Sequence, residues 1–162
     1  MKSDFVTRLA YTTKKPLIGK LAYLALKLLG IELPRPVPIG SGLEIAHGGF
    51  GIVIHSKAQI GNRVKIYPGV TLGRADIYKP ACESLFEGIS IEDDVILSPG
   101  CKVLCKTGML QVGRGTVVGA NAVLLESTGE WEIWAGVPAC KVGEREHEVH
   151  TSQHPGDAEM RA

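Results

Sequence analysis

The chain has 162 residues, enough for one domain with a real hydrophobic core. Eighteen basic residues against seventeen acidic ones leave a net charge of +1, which offers no electrostatic footprint for nucleic acid or an anionic membrane. Hydrophobic residues make up 44%, too many for a disordered chain, yet glycine is abundant at 20 residues and aromatics reach only 6%. Without collagen's every-third spacing, that mixture predicts many short strands joined by tight turns. It points to a repeat architecture.

Residues 1–30 read as helical. Pro16 is placed to open a helix and Gly30 to end it. Ile18, Leu21, Ala22, Ala25, Leu28 and Leu29 recur at helical spacing. Lys14, Lys15, Lys20 and Lys27 would suit contact with a membrane surface, but the expectation is a helix packed on the domain or on a neighbouring subunit. The longest apolar stretch, residues 21–29, contains Lys27 and is too short to span a bilayer.

Beyond this segment an internal repeat emerges. Aliphatic residues stand at Ile39, Ile45, Ile54, Ile60, Ile66, Leu72, Ile91, Leu97, Val103, Val112, Val118 and Leu124, mostly six apart. Four residues after many of them comes a compact or β-branched residue: Ala58, Val64, Val70, Val95, Cys101, Thr107, Thr116 and Ala122. A six-residue unit with two inward positions suits one short strand and one turn, stacked as one side of a prism. Glycine often follows the aliphatic residue, as at Gly40, Gly61, Gly73, Gly113 and Gly119, and is expected where the corner needs positive φ. The chain therefore divides into a helical segment over 1–35, a repeat domain over 36–143 and a polar tail over 144–162, expected to be mobile.

Three breaks interrupt the register, and breaks in a solenoid become loops that carry function. The first, between Ile45 and Ile54, contains His47. The second, residues 74–90, expels about one coil of chain and includes Asp76, Tyr78, Lys79 and Glu87. The third, residues 108–111, reads as a turn extension. His55 falls at an exposed corner, and His147, His150 and His154 lie in the tail. The repeat region offers only His47 and His55, too few for a three-histidine zinc site, so no metal is expected. Cys82, Cys101, Cys105 and Cys140 form no CxxC pair, and no signal peptide opens the sequence, so a reducing cytoplasm is the expected compartment.

The aliphatic-glycine hexad resembles that of the hexapeptide-repeat acyltransferases. The run IAHGGFGIVIH, the run IGNRVKIYPGVTLG over 60–73 and the AGVPA motif over 135–139 look like the serine acetyltransferase branch. That branch includes short relatives that acetylate polysaccharide sugars. The match covers roughly residues 31–143. It implies a left-handed parallel β-helix, where the general rule for parallel crossovers would give a right-handed one. It also implies a homotrimer with active sites between adjacent prisms, and acetyl-CoA as co-substrate.

Residue by residue, the resemblance makes His47 the general base that takes the acceptor hydroxyl's proton. Glu32, fifteen residues upstream, becomes the carboxylate that orients the ring. Gly73, Ser98, Pro99, Gly119 and Ala120 would line the acetyl-CoA track, with Ala135, Gly136 and Lys141 near its adenine and phosphate end. Pro99 stands where the branch has alanine, and Cys140 where it has lysine or arginine. Asp76, Tyr78 and Lys79 become candidates for holding the acceptor. The expected chemistry is direct transfer in a ternary complex, with no covalent cysteine intermediate. Three departures shift the expected acceptor toward a sugar or glycoconjugate hydroxyl. The 74–90 loop lacks the branch's second histidine, Ala46 replaces an aspartate, and only a short segment precedes the repeat. Serine O-acetylation, or a non-catalytic β-helix scaffold, are the alternatives.

Overall fold

The computed structural model describes residues 4–146. His147, His150 and His154, and most of the expected tail, lie outside the described residues. The repeat winds into a three-sided prism of parallel strands. In chain order these are β1 (Glu44–Ile45), β2 (Val53–Ile54), β3 (Ala58–Ile60), β4 (Lys65–Ile66), β5 (Thr71–Arg74), β6 (Phe86–Ile91), β7 (Ile96–Leu97), β8 (Lys102–Cys105), β9 (Gly108–Val112), β10 (Val117–Val118), β11 (Val123–Leu124), β12 (Glu132–Gly136) and β13 (Ala139–Glu144). The first face orders β1-β4-β7-β10-β12-β13, the second β11-β8-β5-β2 and the third β3-β6-β9.

Register explains the hexads. Ile45, Ile66, Leu97, Val118 and Trp134 pair coil over coil on the first face, and Ile54, Leu72, Val103 and Leu124 on the second. The third face stacks Ile39, Ile60, Ile91 and Val112. All of these except half-buried Ile39 are buried, and each such side chain is worth about 1.5–3 kcal/mol. The two-position pattern holds with one exception. Thr107 is exposed, because the chain at that point leaves β8 for the inserted corner.

The breaks are smaller than the hexad spacing implied. The third is no turn extension: residues 108–112 form β9, whose Gly108 and Leu110 pair with Phe86 and Ile89 of β6. The second break returns to the third face at Phe86, which is buried and meets His55 edge-on at 4.8 Å between ring centroids. Only residues 75–85 are therefore expelled, with one short 3-10 turn at Ala81–Glu83.

The glycines also divide differently from expectation. Gly40, Gly61, Gly113 and Gly119 lack positive φ. What excludes a side chain there is the next coil: a Cβ on Gly40 would lie 2.5 Å from the Gly61 carbonyl carbon, and one on Gly113 2.1 Å from the Gly129 oxygen. Positive φ is carried instead by two other corner columns. Gly51, Gly69, Gly100 and Asn121 turn the first-to-second corner, and Gly42, Arg63, Asp94, Gly115 and Trp131 turn the third-to-first.

The N-terminal segment forms two helices rather than one. α1 (Phe5–Thr12) and α2 (Gly19–Leu28) are separated by turns around Pro16. Gly19 opens α2 because a Cβ there would lie 2.3 Å from the Thr13 carbonyl oxygen. As expected, Gly30 closes it, in left-handed conformation, with Ile31 N–H donating to the Leu26 carbonyl at 2.9 Å. α1 covers the open end of the prism. The Thr7 hydroxyl accepts from the Ile45 amide at 3.0 Å, and the Tyr11 hydroxyl donates to the Gly40 carbonyl at 2.7 Å while accepting from the Leu43 amide at 2.9 Å. These bonds satisfy backbone groups that an uncapped first coil would leave open. At the other end β13 folds back antiparallel on β12, and Arg145 donates to the Asp94 and Gly115 carbonyls. Ordered structure thus reaches into the region expected to be tail.

Replacing Tyr11 by Phe removes both bonds and leaves the Gly40 carbonyl and Leu43 amide without their partner. Chemical denaturation should show a loss of about 1–3 kcal/mol.

Candidate active site

The first break folds into a short turn, Ala46–Gly49, at the first-to-second corner. His47 sits there in left-handed conformation, φ 50° and ψ 35°, with its side chain exposed. A non-glycine residue holds such a φ only where the surroundings impose it. Gly49 does part of the imposing. Its φ is 63°, and a Cβ would lie 2.3 Å from Ile45 Cγ2 and 2.9 Å from Ile52 Cδ1.

Beside His47 stands Tyr67 of the next coil, with ring centroids 5.7 Å apart and planes tilted by 44°. Lys65 lies 5.7 Å above the Tyr67 ring and pairs with Glu44 at 3.0 Å. Tyr67, and through it Lys65 and Glu44, form a chain of contacts leading to His47 that the hexad pattern alone did not single out. The usable signal is the pairing of Ile45 with Ile66, which sets Tyr67 above Ala46. The hydrogen bond to Glu44 holds the Lys65 ammonium above its ordinary pKa.

Glu32 lies one coil below on the second face, bridged in parallel to Val53. Its backbone enters the ladder, donating to the Ile52 carbonyl and accepting from the Ile54 amide, each at 2.8 Å. Its half-exposed carboxylate pairs with Lys27 of α2 at 3.9 Å, and it makes no hydrogen bond to His47.

The expected acetyl-CoA residues separate into two places. Ser98, Gly119 and Ala135 follow the paired residues Leu97, Val118 and Trp134, so they occupy one corner position in three successive coils. Pro99 and Ala120 come next along the same corner, and both are exposed. Ala46 and Tyr67 continue this column downward, so His47 stands at its foot. The amides of Ser98 and Gly119 already donate to the Val118 and Trp134 carbonyls, at 3.0 and 2.7 Å. Gly73 does not join the column. It pairs with Leu104 across the second face, toward the opposite corner.

Gly136 and Lys141 lie in the β12–β13 hairpin. Lys141 bridges Glu132 and Glu144, each at 3.0 Å, and these hydrogen bonds raise its pKa. Glu132 organises this hairpin. It accepts from Trp134 Nε1 at 2.8 Å and from the Gly129 amide at 2.7 Å, and the Trp134 bond foremost holds its carboxyl below the usual range.

The loop residues lie at the second-to-third corner, across the second face from His47. Asp76 is buried and ion-paired to Arg74 at 3.0 Å. Arg74 also donates to the Lys79 carbonyl at 2.8 Å. Tyr78 is exposed, Lys79 half-buried and Glu87 exposed. His55 is half-buried rather than exposed, and its Nδ1 accepts from the Lys57 amide at 3.1 Å. Burial and the charges of Lys57 and Arg74 push its pKa down. Cys101 is buried, and desolvation pushes its thiol up to about 12, far from a reactive thiolate. Among the described residues no cluster of three or more His, Cys, Asp or Glu could hold a metal ion.

No protein-family model matches the chain. A serine acetyltransferase of Bacillus licheniformis is 36% identical over 129 residues, covering 79% of this chain and 56% of the relative. The crystal structure of serine acetyltransferase from Brucella abortus strain S19 in complex with coenzyme A aligns at 28% identity with a TM-score of 0.68. That alignment covers 87% of this chain and 54% of that one. The Neisseria gonorrhoeae serine acetyltransferase in complex with serine aligns at 22% identity with a TM-score of 0.67, over 83% of this chain and 54% of that one, and supports the fold alone. The chain spans about half the length of these relatives.

The fold is therefore the left-handed parallel β-helix of the hexapeptide-repeat acyltransferases. Within that class the chain belongs to the serine acetyltransferase-like family.

Two outcomes follow from the site's backbone and charges. Gly49→Ala should destabilise the protein by about 2–4 kcal/mol through clash and strain. Gly48→Ala, whose added Cβ meets nothing within 4 Å, should cost only about 1–2 kcal/mol for its φ of 73°. Paired denaturation curves compare them. The depressed Glu132 carboxyl stabilises the fold above the unfolded glutamate pKa and loses that contribution as pH falls through its folded value. Melting temperature should accordingly drop less between about pH 5 and pH 3 in Glu132→Gln than in the parent protein.

Proposed function

We propose that this chain is an acetyl-CoA-dependent O-acetyltransferase acting by general-base catalysis. The observation that carries this reading is the strained, exposed His47 at the foot of the corner column that ends at Ala135. An exposed imidazole suits removal of a hydroxyl proton near neutral pH. The column rises over four coil steps, about 19 Å at about 4.8 Å each, with the small residues Ser98, Gly119 and Ala135 in its upper coils. A long thin thioester can lie along such a track with its acyl carbon near His47 and its far end at the β12–β13 hairpin. The hydroxyl oxygen attacks the acyl carbon, His47 holds the proton, and the thiolate leaves as coenzyme A.

Serine is the favoured acceptor. Thirty-six per cent identity to a serine acetyltransferase over 79% of the chain supports it over the sugar hydroxyl that the sequence had suggested. One observation keeps the sugar as the second reading: the expelled loop over 75–85 contains no histidine and exposes Tyr78 for a hydroxylated ring to stack upon. Gly73 and the loop stand across the second face from His47. The reading therefore includes a homotrimer in which a neighbouring prism supplies the other wall of the site. Glu32 is the positioning carboxylate for His47, exchanging its contact with Lys27 for the imidazole when the site is filled.

Thiol release from acetyl-CoA, followed with serine and with a panel of sugars and nucleotide sugars, tests the proposal. Serine should give the fastest turnover. His47→Ala should lower turnover by roughly 10²–10⁴-fold. Glu32→Gln should lower it less and shift the acid limb of the pH–rate profile. Near-parental turnover in His47→Ala would remove the base, and a sugar outpacing serine would select the second reading.

A further inference from the structure

The N-terminal segment carries a surface that the proposed reaction does not use. α2 turns Gly19, Ala22 and Leu26 into the molecule. At 100° per residue, Leu17 just ahead of the helix and Leu21, Leu24 and Leu28 within it fall on the opposite side. They are 91%, 68%, 55% and 82% exposed. Of the two packings the sequence led one to expect, on the domain or on a neighbouring subunit, the first accounts for only one face. The other is a convex apolar ridge, widened by the partly exposed Ile18 and Leu29.

Charge says what covers it. Residues 5–31 contain Arg8, Lys14, Lys15, Lys20 and Lys27 and no Asp or Glu, although the whole chain carries only +1. Lys14 is turned onto the Arg35 and Val37 carbonyls, and Lys27 meets Glu32 at 3.9 Å. Lys15 and Lys20 make no ion pair among the described residues. Lys20 and Lys27 both flank the ridge on the same side of α2.

We propose that α2 docks in the plane of an anionic lipid surface, with Leu17, Leu21, Leu24 and Leu28 entering the acyl boundary. Lysines beside the ridge reach lipid phosphates while their stems lie along the apolar boundary. A second copy of this chain fits less well. Ridge against ridge would bring like charges together, and the open cleft lined by Gln59, Ser90, Glu92, Asp93 and Arg114 is too polar to receive a ridge of leucines. No helix among the described residues is long and apolar enough to cross a membrane, so the contact is one of surface attachment. The proposal is independent of the acyl acceptor.

Co-sedimentation of the full chain with vesicles tests it. Vesicles of phosphatidylcholine containing phosphatidylglycerol should bind the protein at low salt. Binding should fall by about tenfold or more with pure phosphatidylcholine, and likewise at about 0.5 M salt. The double variant Leu21→Ser/Leu28→Ser changes only exposed side chains and should lose vesicle binding while keeping its circular dichroism melt and solution mass. Failure of the parent protein to bind anionic vesicles would overturn the proposal. So would unchanged binding by the double variant, or a drop in that variant's solution mass, which would assign the ridge to contact between copies.

Discussion

Each coil of this protein is held by the coil beneath it, and the two corner columns of left-handed residues make that stacking possible. At the corner that bears the site, the Gly69 amide donates to the Phe50 carbonyl, Gly100 to Pro68 and Asn121 to Pro99, at 2.8–2.9 Å. The φ values of Gly51, Gly69, Gly100 and Asn121 run from 75° to 55°. Because the corner repeats, a side chain keeps its place from coil to coil, and any inserted residues must leave the prism at a corner. His47 occurs where the chain departs from the repeat at this corner. The expelled loop and the β8–β9 insertion both depart at another, between the second and third faces.

The inward lattice was legible because burial demands it. Aliphatic side chains at six-residue spacing stack into one core, and eleven of the twelve positions read from the sequence are buried. Phase was harder to read. Period alone does not say which hexads share a face, so the role of residues 108–112 as a strand and the neighbourhood of Tyr67 and His47 appeared only with the register. The glycines were misread for a physical reason. Glycine serves both positive φ and close backbone approach, and the glycines after the aliphatic residues meet the second need. Positive φ also falls on Arg63 and Trp131, where no composition rule would place it. Arg63 and Asp94 share a bidentate contact at 2.6 and 2.7 Å.

The candidate site was legible in part. His47 stands out because it breaks the repeat among three glycines, two of which share its turn. Glu32 rests on the spacing that the resemblance supplies, and its contact with Lys27 could not be read, since that lysine arrives from a helix whose packing the sequence does not specify. Asp76 looked like a polar loop residue, yet the ion pair with Arg74 makes it part of the loop's own framework. The residues read as one cofactor track divide between a corner column and the far side of the second face. On the proposed reading a neighbouring prism supplies the second wall of the groove.

The proposed function stands or falls on whether the corner column above His47 carries the thioester, which a crystal structure of the protein with coenzyme A would show. The thiol sulfur is expected within about 3–4 Å of the His47 imidazole, with the chain of the cofactor passing Ser98, Gly119 and Ala135 between two prisms. Coenzyme A bound with its sulfur on another face, remote from His47, would contradict it.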